Sequence, residues 1–235
     1  MSLPDALART DSYFSAEWRG SRAPWVRKPT NIFVTISREA GSGGSSLAQL
    51  VAKQLAETDG SAVPWQVYGG NVVDRMLEAN HLSDRLARFL PEDHVSELVA
   101  SIGELVGLHP SLWELVQKTN ETMRDLAKGG QVILVGRGAN FATVGIAGGV
   151  HVRLIAPPEN RARAWAEFKG IPEAEALAQI AKVDAARRRY ASRTFNADQE
   201  NPAAYDLVIN TGLLPLAEAA ALVAARVRAR LAVAA

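Results

Sequence analysis

Short apolar runs alternate with longer amphipathic stretches along most of the chain. Five runs rich in strand-forming residues predict buried strands: residues 31–37, 63–68, 132–135, 150–155 and 207–209. Apolar residues at helical spacing predict helices at about 47–56, 72–90, 92–106, 111–128, 158–169, 173–194 and 215–233. Strands that alternate with helices favour an α/β fold, here a five-stranded parallel sheet that is doubly wound, with helices on both faces.

Two connections are too long to be simple crossovers. Residues 69–130 separate the second and third predicted strands, and residues 156–205 separate the fourth and fifth. Each is predicted to be a lid or a substrate-binding insertion on the sheet. Residues 1–30 are predicted to form an N-terminal arm. Its tryptophans, Trp18 and Trp25, either pack on the core or cover a ligand or partner.

Composition excludes several classes of protein. The chain has 235 residues, of which 48% are hydrophobic and 22% charged, and this indicates one globular domain with inserted segments. The absence of cysteine excludes thiolate catalysis, cysteine zinc sites and disulfides. No uncharged stretch exceeds 15 residues, and the first 20 residues lack the apolar run of a secretory signal. We therefore expect a cytoplasmic protein with no membrane partner.

Charge is distributed unevenly along the chain. The formal net charge is +1, yet residues 151–193 carry nine Lys/Arg against five Asp/Glu, a net +4, so the remainder sums to −3. The near-neutral total argues against nucleic acid as a partner. The basic segment is compatible with a small polyphosphate held in one cleft.

A glycine-serine loop directly follows the first predicted strand and precedes a helix. It consists of Gly41, Ser42, Gly43, Gly44, Ser45 and Ser46. Such a loop either is a plain turn or cradles phosphate with backbone N–H groups and the positive end of the helix dipole. Aligned on the phosphate-loop pattern G-x-x-x-x-G-K-[ST], the first glycine is replaced by Arg38 and the lysine by Gly44. The hydroxyl position for Mg²⁺ is Ser45, with Ser46 as a second hydroxyl.

Five spaced motifs resemble the cytidylate kinase-like family of P-loop nucleoside monophosphate kinases. They are I-S-R-E-A-G-S-G-G at residues 36–44, G-R-G-A-N at 136–140, A-P-P-E-N-R-A-R at 156–163, a helix with Asp184, Arg187 and Tyr190, and N-P…Y-D-L-V-I-N-T at 201–211. The resemblance spans about residues 31–230 in consistent order. It implies a P-loop kinase-like domain over 31–235, in which 69–130 is a helical acceptor-binding insertion and 156–205 an arginine-bearing lid region.

The resemblance also implies ATP with Mg²⁺ as phosphoryl donor and CMP or a similar nucleotide as acceptor. Phosphoryl transfer requires positive charge on the transferring oxygens, and arginine supplies it with bidentate geometry. The catalytic arginines are predicted to be Arg38, Arg137 and Arg161. The lid is predicted to carry Arg161, Arg163 and Arg193. Acceptor binding is assigned to Arg137, Asp184 and Arg187, and loosely to Asp74 and Arg75.

Each of these assignments has a simpler alternative. Arg137 could be a surface arginine after a strand, and Asp184 with Arg187 and Arg188 could be an exposed helical ion pair. Asp74 could simply favour a helix N-terminus. The lid helix carrying Arg161 could be a solvated surface helix.

The sequence departs from cytidylate kinases proper at three positions. Gly44 replaces the phosphate-loop lysine, Gly138 stands where an aspartate follows the arginine, and Ile180 stands where a further arginine precedes Asp184. The leading interpretation is an ATP-dependent nucleoside monophosphate kinase-like phosphotransferase. The alternatives are a catalytically degenerate nucleotide-binding regulatory module and a kinase for a different small acceptor.

Overall fold

The structure, a computed structural model, describes residues 32–59, 64–69 and 110–234. The strands in these ranges are β1 (Phe33–Arg38), β2 (Gln66–Tyr68), β3 (Val132–Val135), β4 (Gly149–Ile155) and β5 (Leu207–Asn210). The helices are α1 (Gly44–Asp59), α2 (Pro110–Gly129), α3 (Ala139–Ala142), α4 (Pro158–Lys169), α5 (Glu173–Phe195) and α6 (Leu216–Ala234). The predicted N-terminal arm, most of the predicted acceptor-binding insertion, and Asp74 and Arg75 lie outside the described residues.

All five strands run parallel in one sheet, in the order β2-β3-β1-β4-β5. The predicted fold class is therefore confirmed. β1 is central and pairs with β3 on one side and with β4 on the other, where Ser37 lies opposite Arg153. Because the carboxyl ends of parallel strands meet at one edge of the sheet, the segments after β1, β3 and β4 are brought together there.

Alternate residues of β1 pack against different helices. Val34 and Ile36 belong to a core cluster with residues of α1 and α6, whereas Phe33 belongs to a cluster with α2 and α3. The second face becomes polar towards the carboxyl edge, where Thr35 and Ser37 are buried. This combination of an apolar base and a polar, enclosed upper half is typical of a sheet that binds a ligand at its carboxyl edge.

The structure adds details that the hydrophobic pattern does not contain. α1 begins at Gly44, three residues before the predicted start, because the last residues of the glycine-serine loop already form the first helical turn. The short helix α3 was not predicted, since four residues are too few for a periodic pattern. Within the described ranges, no helix is long and apolar enough to cross a membrane.

Candidate functional site

The loop between β1 and α1 has a backbone path that favours glycine at two positions. Gly41 and Gly43 have φ angles of +78° and +85°, in the left-handed region that side chains rarely adopt. A Cβ atom on Gly41 would overlap the backbone carbonyl of Arg161, and one on Gly43 would lie 3.0 Å from Leu216 Cδ1. The loop is therefore packed tightly between the first turns of α4 and α6.

Hydrogen bonds fix the first half of this loop. The Ser42 hydroxyl donates to the Glu39 carbonyl at 2.8 Å, and the Ser42 backbone N–H donates to the same oxygen at 3.3 Å. The hydroxyl of Thr211, just after β5, donates to the Ser42 carbonyl at 3.0 Å. Ser42 therefore shapes the loop, and the N–H groups best placed for an anion are those that follow it.

The first turn of α1 presents such N–H groups. The first helical hydrogen bond runs from the Leu47 N–H to the Gly43 carbonyl at 2.9 Å. The N–H groups of Gly44, Ser45 and Ser46 consequently have no acceptor within the helix. Together with the helix dipole they form a cradle suited to phosphate oxygens. The serine residues are exposed beside it.

A magnesium ion would find few protein ligands in this region. Across residues 32–59, 64–69 and 110–234, no three His, Asp or Glu side chains are grouped to hold a metal. Mg²⁺ typically keeps several waters and binds through substrate phosphates with one or two protein oxygens. The exposed Ser45 beside the cradle can supply one such oxygen. The residues present fit a magnesium–nucleotide complex better than a metal held by protein alone.

Arg38 lies next to the position at which the phosphate-loop pattern has lysine. Gly44 stands at that position, and a Cβ atom there would come within 2.9 Å of Arg38 Cγ. Burial, followed by the charges of Arg187 and Arg137, holds the pKa of the Arg38 guanidinium well below its usual range, although Asp184 acts in the opposite direction. The absence of lysine at position 44 is therefore linked to Arg38, because the stem of Arg38 fills the space that a side chain at position 44 would need.

Asp184 lies at the centre of a buried ion-pair network. Its Oδ2 accepts a hydrogen bond from Arg161 Nη1 at 2.6 Å, and its Oδ1 accepts one from the Ala40 backbone N–H at 2.8 Å. Arg187 Nη1 lies 3.7 Å from Oδ1. Asp184 is 7% exposed, so the alternative interpretation of an exposed helical pair is wrong for this carboxylate. The network ties α5 directly to the glycine loop.

Arg161 is bound on several sides by protein groups. Its Nε donates to the Ala156 carbonyl at 2.9 Å, and its Nη1 donates to the Ala40 carbonyl at 3.2 Å. Its Nε also lies 3.4 Å from Glu39 Oε2. Since the residue is 8% exposed, the alternative of a solvated helix is wrong for its inner face. The guanidinium joins the end of β4, the loop and α5.

The other two predicted lid residues do not join the buried network. Arg163 is exposed on α4, with its Nε 4.0 Å from Glu173 Oε1. Arg193 is exposed near the end of α5. The structure therefore separates the predicted lid arginines into one buried residue and two on the surface.

Arg187 and Arg137 approach Arg38 from two further elements. Arg187 Nη1 donates to the Arg38 carbonyl at 3.0 Å, across from α5 to the end of β1. Burial, then the charge of Arg137, lowers the pKa of Arg187 to about 10, although Asp184 raises it. Arg187 therefore stays charged at neutral pH. Arg137 is half-buried directly after β3. Three of the predicted arginines thus come together beside the loop.

Comparison with known proteins agrees with this architecture. The model of the cytidylate kinase-like family matches residues 33–213, most of the chain. The chain belongs to the cytidylate kinase-like family. Among curated proteins it is 26% identical over 180 residues to a cytidylate kinase of Pyrococcus horikoshii, a match covering 77% of this chain and 80% of that protein. A cytidylate kinase of Thermococcus kodakarensis is also 26% identical, and the match covers 77% of this chain and 79% of that protein.

A solved structure supports the fold. An uncharacterized protein from Eubacterium ventriosum superimposes with a TM-score of 0.62 and 16% sequence identity, covering 84% of this chain and 98% of that one. The two chains therefore share a fold across nearly the whole of the second protein.

Two departures from cytidylate kinases proper have a physical reason in this member of the family. Gly138 has a φ of +66°, and a Cβ atom there would overlap the ring of Phe195 at the end of α5, so an aspartate does not fit. Ile180 is 1% exposed in an apolar cluster with Ala40 and Ala162, where an arginine would bury an unpaired charge. Both departures follow from the close packing of α5 beside the loop and against the start of α3.

Sequence reasoning missed three contributors to the site. Glu39 accepts a hydrogen bond from the Ala156 N–H at 3.0 Å through its side chain, and Thr211 fastens the loop from β5. Nothing in local spacing indicates these contacts, because they join distant segments. Arg153 is buried within β4. The sequence could have indicated Arg153, because it is a charged residue inside an otherwise apolar strand pattern.

Proposed function

We propose that this chain is an ATP-dependent kinase that transfers the γ-phosphoryl group of ATP to a nucleoside monophosphate, CMP or a similar nucleotide. Its family membership supports phosphotransfer of the nucleotide kinase kind. The observation that carries the proposal is the convergence of Arg38, Arg137 and Arg187 beside a glycine loop with exposed helical N–H groups. Phosphoryl transfer depends mainly on such positioning and charge.

On the donor side, the backbone N–H groups at residues 43–46 hold the terminal phosphates of ATP. The Ser45 hydroxyl would be a protein ligand for the magnesium that accompanies ATP, and the metal would neutralise charge on the phosphate oxygens. Arg38 takes the place of the missing lysine, because its stem crosses Gly44. A guanidinium reaches two phosphate oxygens at once, so charge is supplied in a different geometry from that of lysine.

On the acceptor side, Arg137 and Arg187 bind the phosphate of the monophosphate. An oxygen of that phosphate attacks the γ-phosphorus of ATP, and the bond from the γ-phosphorus to the β,γ-bridging oxygen breaks to release ADP. No general base is needed for this step, because the attacking phosphate oxygen is already ionised near neutral pH. The positive charge of Arg38 and Arg187 stabilises the negative charge on the transferred group.

Asp184 and Arg161 act in this proposal as positioning residues. Asp184 already accepts hydrogen bonds from Arg161 and from the loop backbone at Ala40. It keeps Arg187 oriented towards the end of β1, and Arg161 fixes the loop against α4. Direct contacts of these two residues with substrate are not required, and the roles of Asp74 and Arg75 stay sequence predictions.

The proposal is tested by an acceptor panel. The protein with ATP and Mg²⁺ is mixed with CMP, UMP, AMP, dCMP or the unphosphorylated nucleosides, and ADP release is measured. We expect acceptor-dependent ADP release with at least one monophosphate and none with a nucleoside. Release with an unphosphorylated acceptor alone would replace the proposal by a kinase for a different small molecule.

The second function, a nucleotide-binding regulatory module, is favoured by one observation. Gly44 removes the loop lysine, a transition-state charge, whereas the N–H groups that bind ATP in the ground state are retained. Calorimetric binding of ATP, measured on the same protein, separates the two functions. Tight ATP binding without ADP release for any acceptor would favour the module.

A further inference from the structure

Arg153 is a charged residue in the middle of the buried sheet. It lies on β4 opposite Ser37 of β1 and is 4% exposed. Its neighbours Val152 and Leu154 on the same strand point to the apolar face that packs on α1 and α6. Arg153 therefore points to the other face, the one that becomes polar towards the carboxyl edge. An arginine at such a position requires compensation that apolar packing cannot give.

The surroundings of Arg153 compensate it only in part. Its guanidinium carbon lies 5.9 Å from the centre of the Tyr205 ring, a cation–π contact. The Tyr205 hydroxyl donates to the Gln199 carbonyl at 2.8 Å and lies 3.4 Å from Ser37 Oγ. In the parts of the chain that the structure describes, Arg153 Nη1 is buried and has no hydrogen-bond partner. A buried guanidinium N–H without an acceptor is rare in native proteins and calls for an explanation.

Among the residues that the structure describes, Arg153 also lacks a compensating negative charge. Its positive charge is among those that lower the pKa of Arg187, so the two guanidinium groups are close enough to repel each other. The carboxylate that faces Arg187 is Asp184, which is already bound to Arg161 and to the Ala40 N–H. Arg153 and Arg187 therefore share a region with more positive than negative charge. A dianionic group between them would supply the missing acceptor and the missing charge.

We propose that Arg153 is a further binding residue for the acceptor phosphate and makes the acceptor side of the cleft selective for a doubly charged phosphate over a neutral group. This rests on the proposed kinase function for the identity of the acceptor. The phosphate lies between Arg187 and Arg153, and the Tyr205 ring contacts the guanidinium of Arg153. One arginine comes from β4 and the other from α5, and each guanidinium can bind two phosphate oxygens at once.

The test compares Arg153→Met with Arg188→Met. Methionine keeps most of the volume of arginine and suits a buried apolar setting. Arg188 is an exposed arginine on α5, paired with Glu200, so its replacement removes the same charge from the surface. Binding of inorganic phosphate, CMP and cytidine is measured by calorimetry, and the thermal midpoint Tm is measured in chloride and in phosphate buffer.

We expect Arg153→Met to weaken binding of phosphate and CMP by about 10- to 100-fold, the value of a lost charge-assisted hydrogen bond. Binding of ATP to the loop should be unchanged, and cytidine should bind weakly to both proteins. In chloride buffer the Tm should not fall, because a repelling charge has been removed, while the rise of Tm in phosphate should shrink. Arg188→Met should behave like the wild type in every measurement.

A packing role for Arg153 predicts the reverse, a lower Tm in chloride with an unchanged response to phosphate, and that result would overturn the inference. If Arg153→Met does not fold, Arg153→Lys keeps the charge but loses the bidentate contact, and unchanged phosphate affinity in that variant would equally overturn it. If the wild type binds phosphate through Arg153 but no nucleoside monophosphate, the proposed kinase function fails while this inference stands. If the wild type binds neither, both fail.

Discussion

Arginine side chains gather around carboxylates at two places on this sheet, and their surroundings differ. At the start of β5, Asp206 accepts hydrogen bonds from the His151 N–H at 2.9 Å, from Arg226 at 2.7 Å and from Arg230 at 3.3 Å. Burial raises the pKa of Asp206, but these hydrogen bonds and charges outweigh it and hold the pKa below its usual value. Both arginine side chains are more than a third exposed, so water shares their charge.

At the carboxyl edge of the sheet, positive charges outnumber negative ones within the described ranges. Arg38, Arg137 and Arg153 all lie near Arg187, and the carboxylate beside Arg187, Asp184, also binds Arg161. Burial is the largest influence on the pKa values of Arg38 and Arg187, and the neighbouring arginine charges lower them further.

The comparison separates a structural clasp from a region with excess positive charge, which favours an anion. The Asp206 clasp, which consists of Asp206, Arg226 and Arg230, holds α6 on the sheet. Each of its charges has an oppositely charged partner or contacts water. The carboxyl-edge cluster keeps more guanidinium groups than carboxylates in a region where charge is costly. An anion bound there would offset the excess positive charge.

The largest expected effect comes from neutralising the two carboxylates in turn. Asp184→Asn removes the closer of the two carboxylates that face the buried Arg161, and we expect a loss of about 3–5 kcal/mol in the free energy of unfolding. Asp206→Asn leaves two partly exposed arginines that water can solvate, so we expect a smaller loss of about 1–2 kcal/mol. Urea unfolding of both variants measures the difference.

Equal losses in these two variants would contradict the distinction between the regions. An added phosphate salt sharpens the comparison, because an anion at the carboxyl edge should stabilise the wild type and leave the Asp206 clasp unaffected.

The second prediction concerns Arg38. If it supplies the charge of the missing lysine, Arg38→Met should lower the rate of ADP release by about 10²–10³-fold, the usual cost of losing one transition-state charge contact. The free energy of unfolding should hold or rise, since the change relieves repulsion with Arg137 and Arg187. Steady-state kinetics and urea unfolding give both values. A drop in rate that tracks a drop in stability would point to a structural role instead.

The third prediction concerns the contact between Gly138 and Phe195 at the end of α5. Gly138→Ala must place a Cβ against the Phe195 ring at a φ of +66°, whereas Gly170→Ala has nearly the same φ, +68°, with open space around it. Both variants bear the strain of the left-handed backbone, but only Gly138→Ala is overpacked. We expect it to be less stable than Gly170→Ala by about 1–3 kcal/mol in thermal unfolding.

A Gly138→Ala, Phe195→Ala double variant serves as the control. It should show a coupling that offsets part of the loss from the glycine substitution. Simple additivity would mean that the ring does not cause the strain.

The sequence could predict the sheet and the loop because both depend on local patterns. An apolar run such as that of β4 predicts a buried strand, and glycines such as those at 41 and 43 predict a tight turn between a strand and a helix. The motif order then identified the family. Burial of Asp184 could not be predicted in the same way, since the spacing to Arg187 is identical in an exposed pair and in a buried one. What buries it is the packing of α5 on the loop, a contact between segments about 140 residues apart.

The smallest expected effect is a pH dependence at the Asp206 clasp. Burial lowers the pKa of His151 from its usual 6.5, although Asp206 acts in the opposite direction. The unfolded chain therefore binds a proton more readily than the folded one. Stability should be level above about pH 6.5 and fall as the pH drops towards the lowered folded value, with a slope of at most about 1.4 kcal/mol per pH unit for one proton.

His151→Gln isolates this contribution. Glutamine preserves a polar partner for Thr35, whose hydroxyl lies 2.8 Å from His151 Nδ1, but it does not titrate. Urea unfolding at pH 7.5 and at pH 5.5 should therefore show a smaller difference in the variant than in the wild type. Asp206, whose pKa is lowered, stays ionised throughout this range, so the clasp itself remains closed. The same pH dependence in both proteins would assign the effect to groups other than His151.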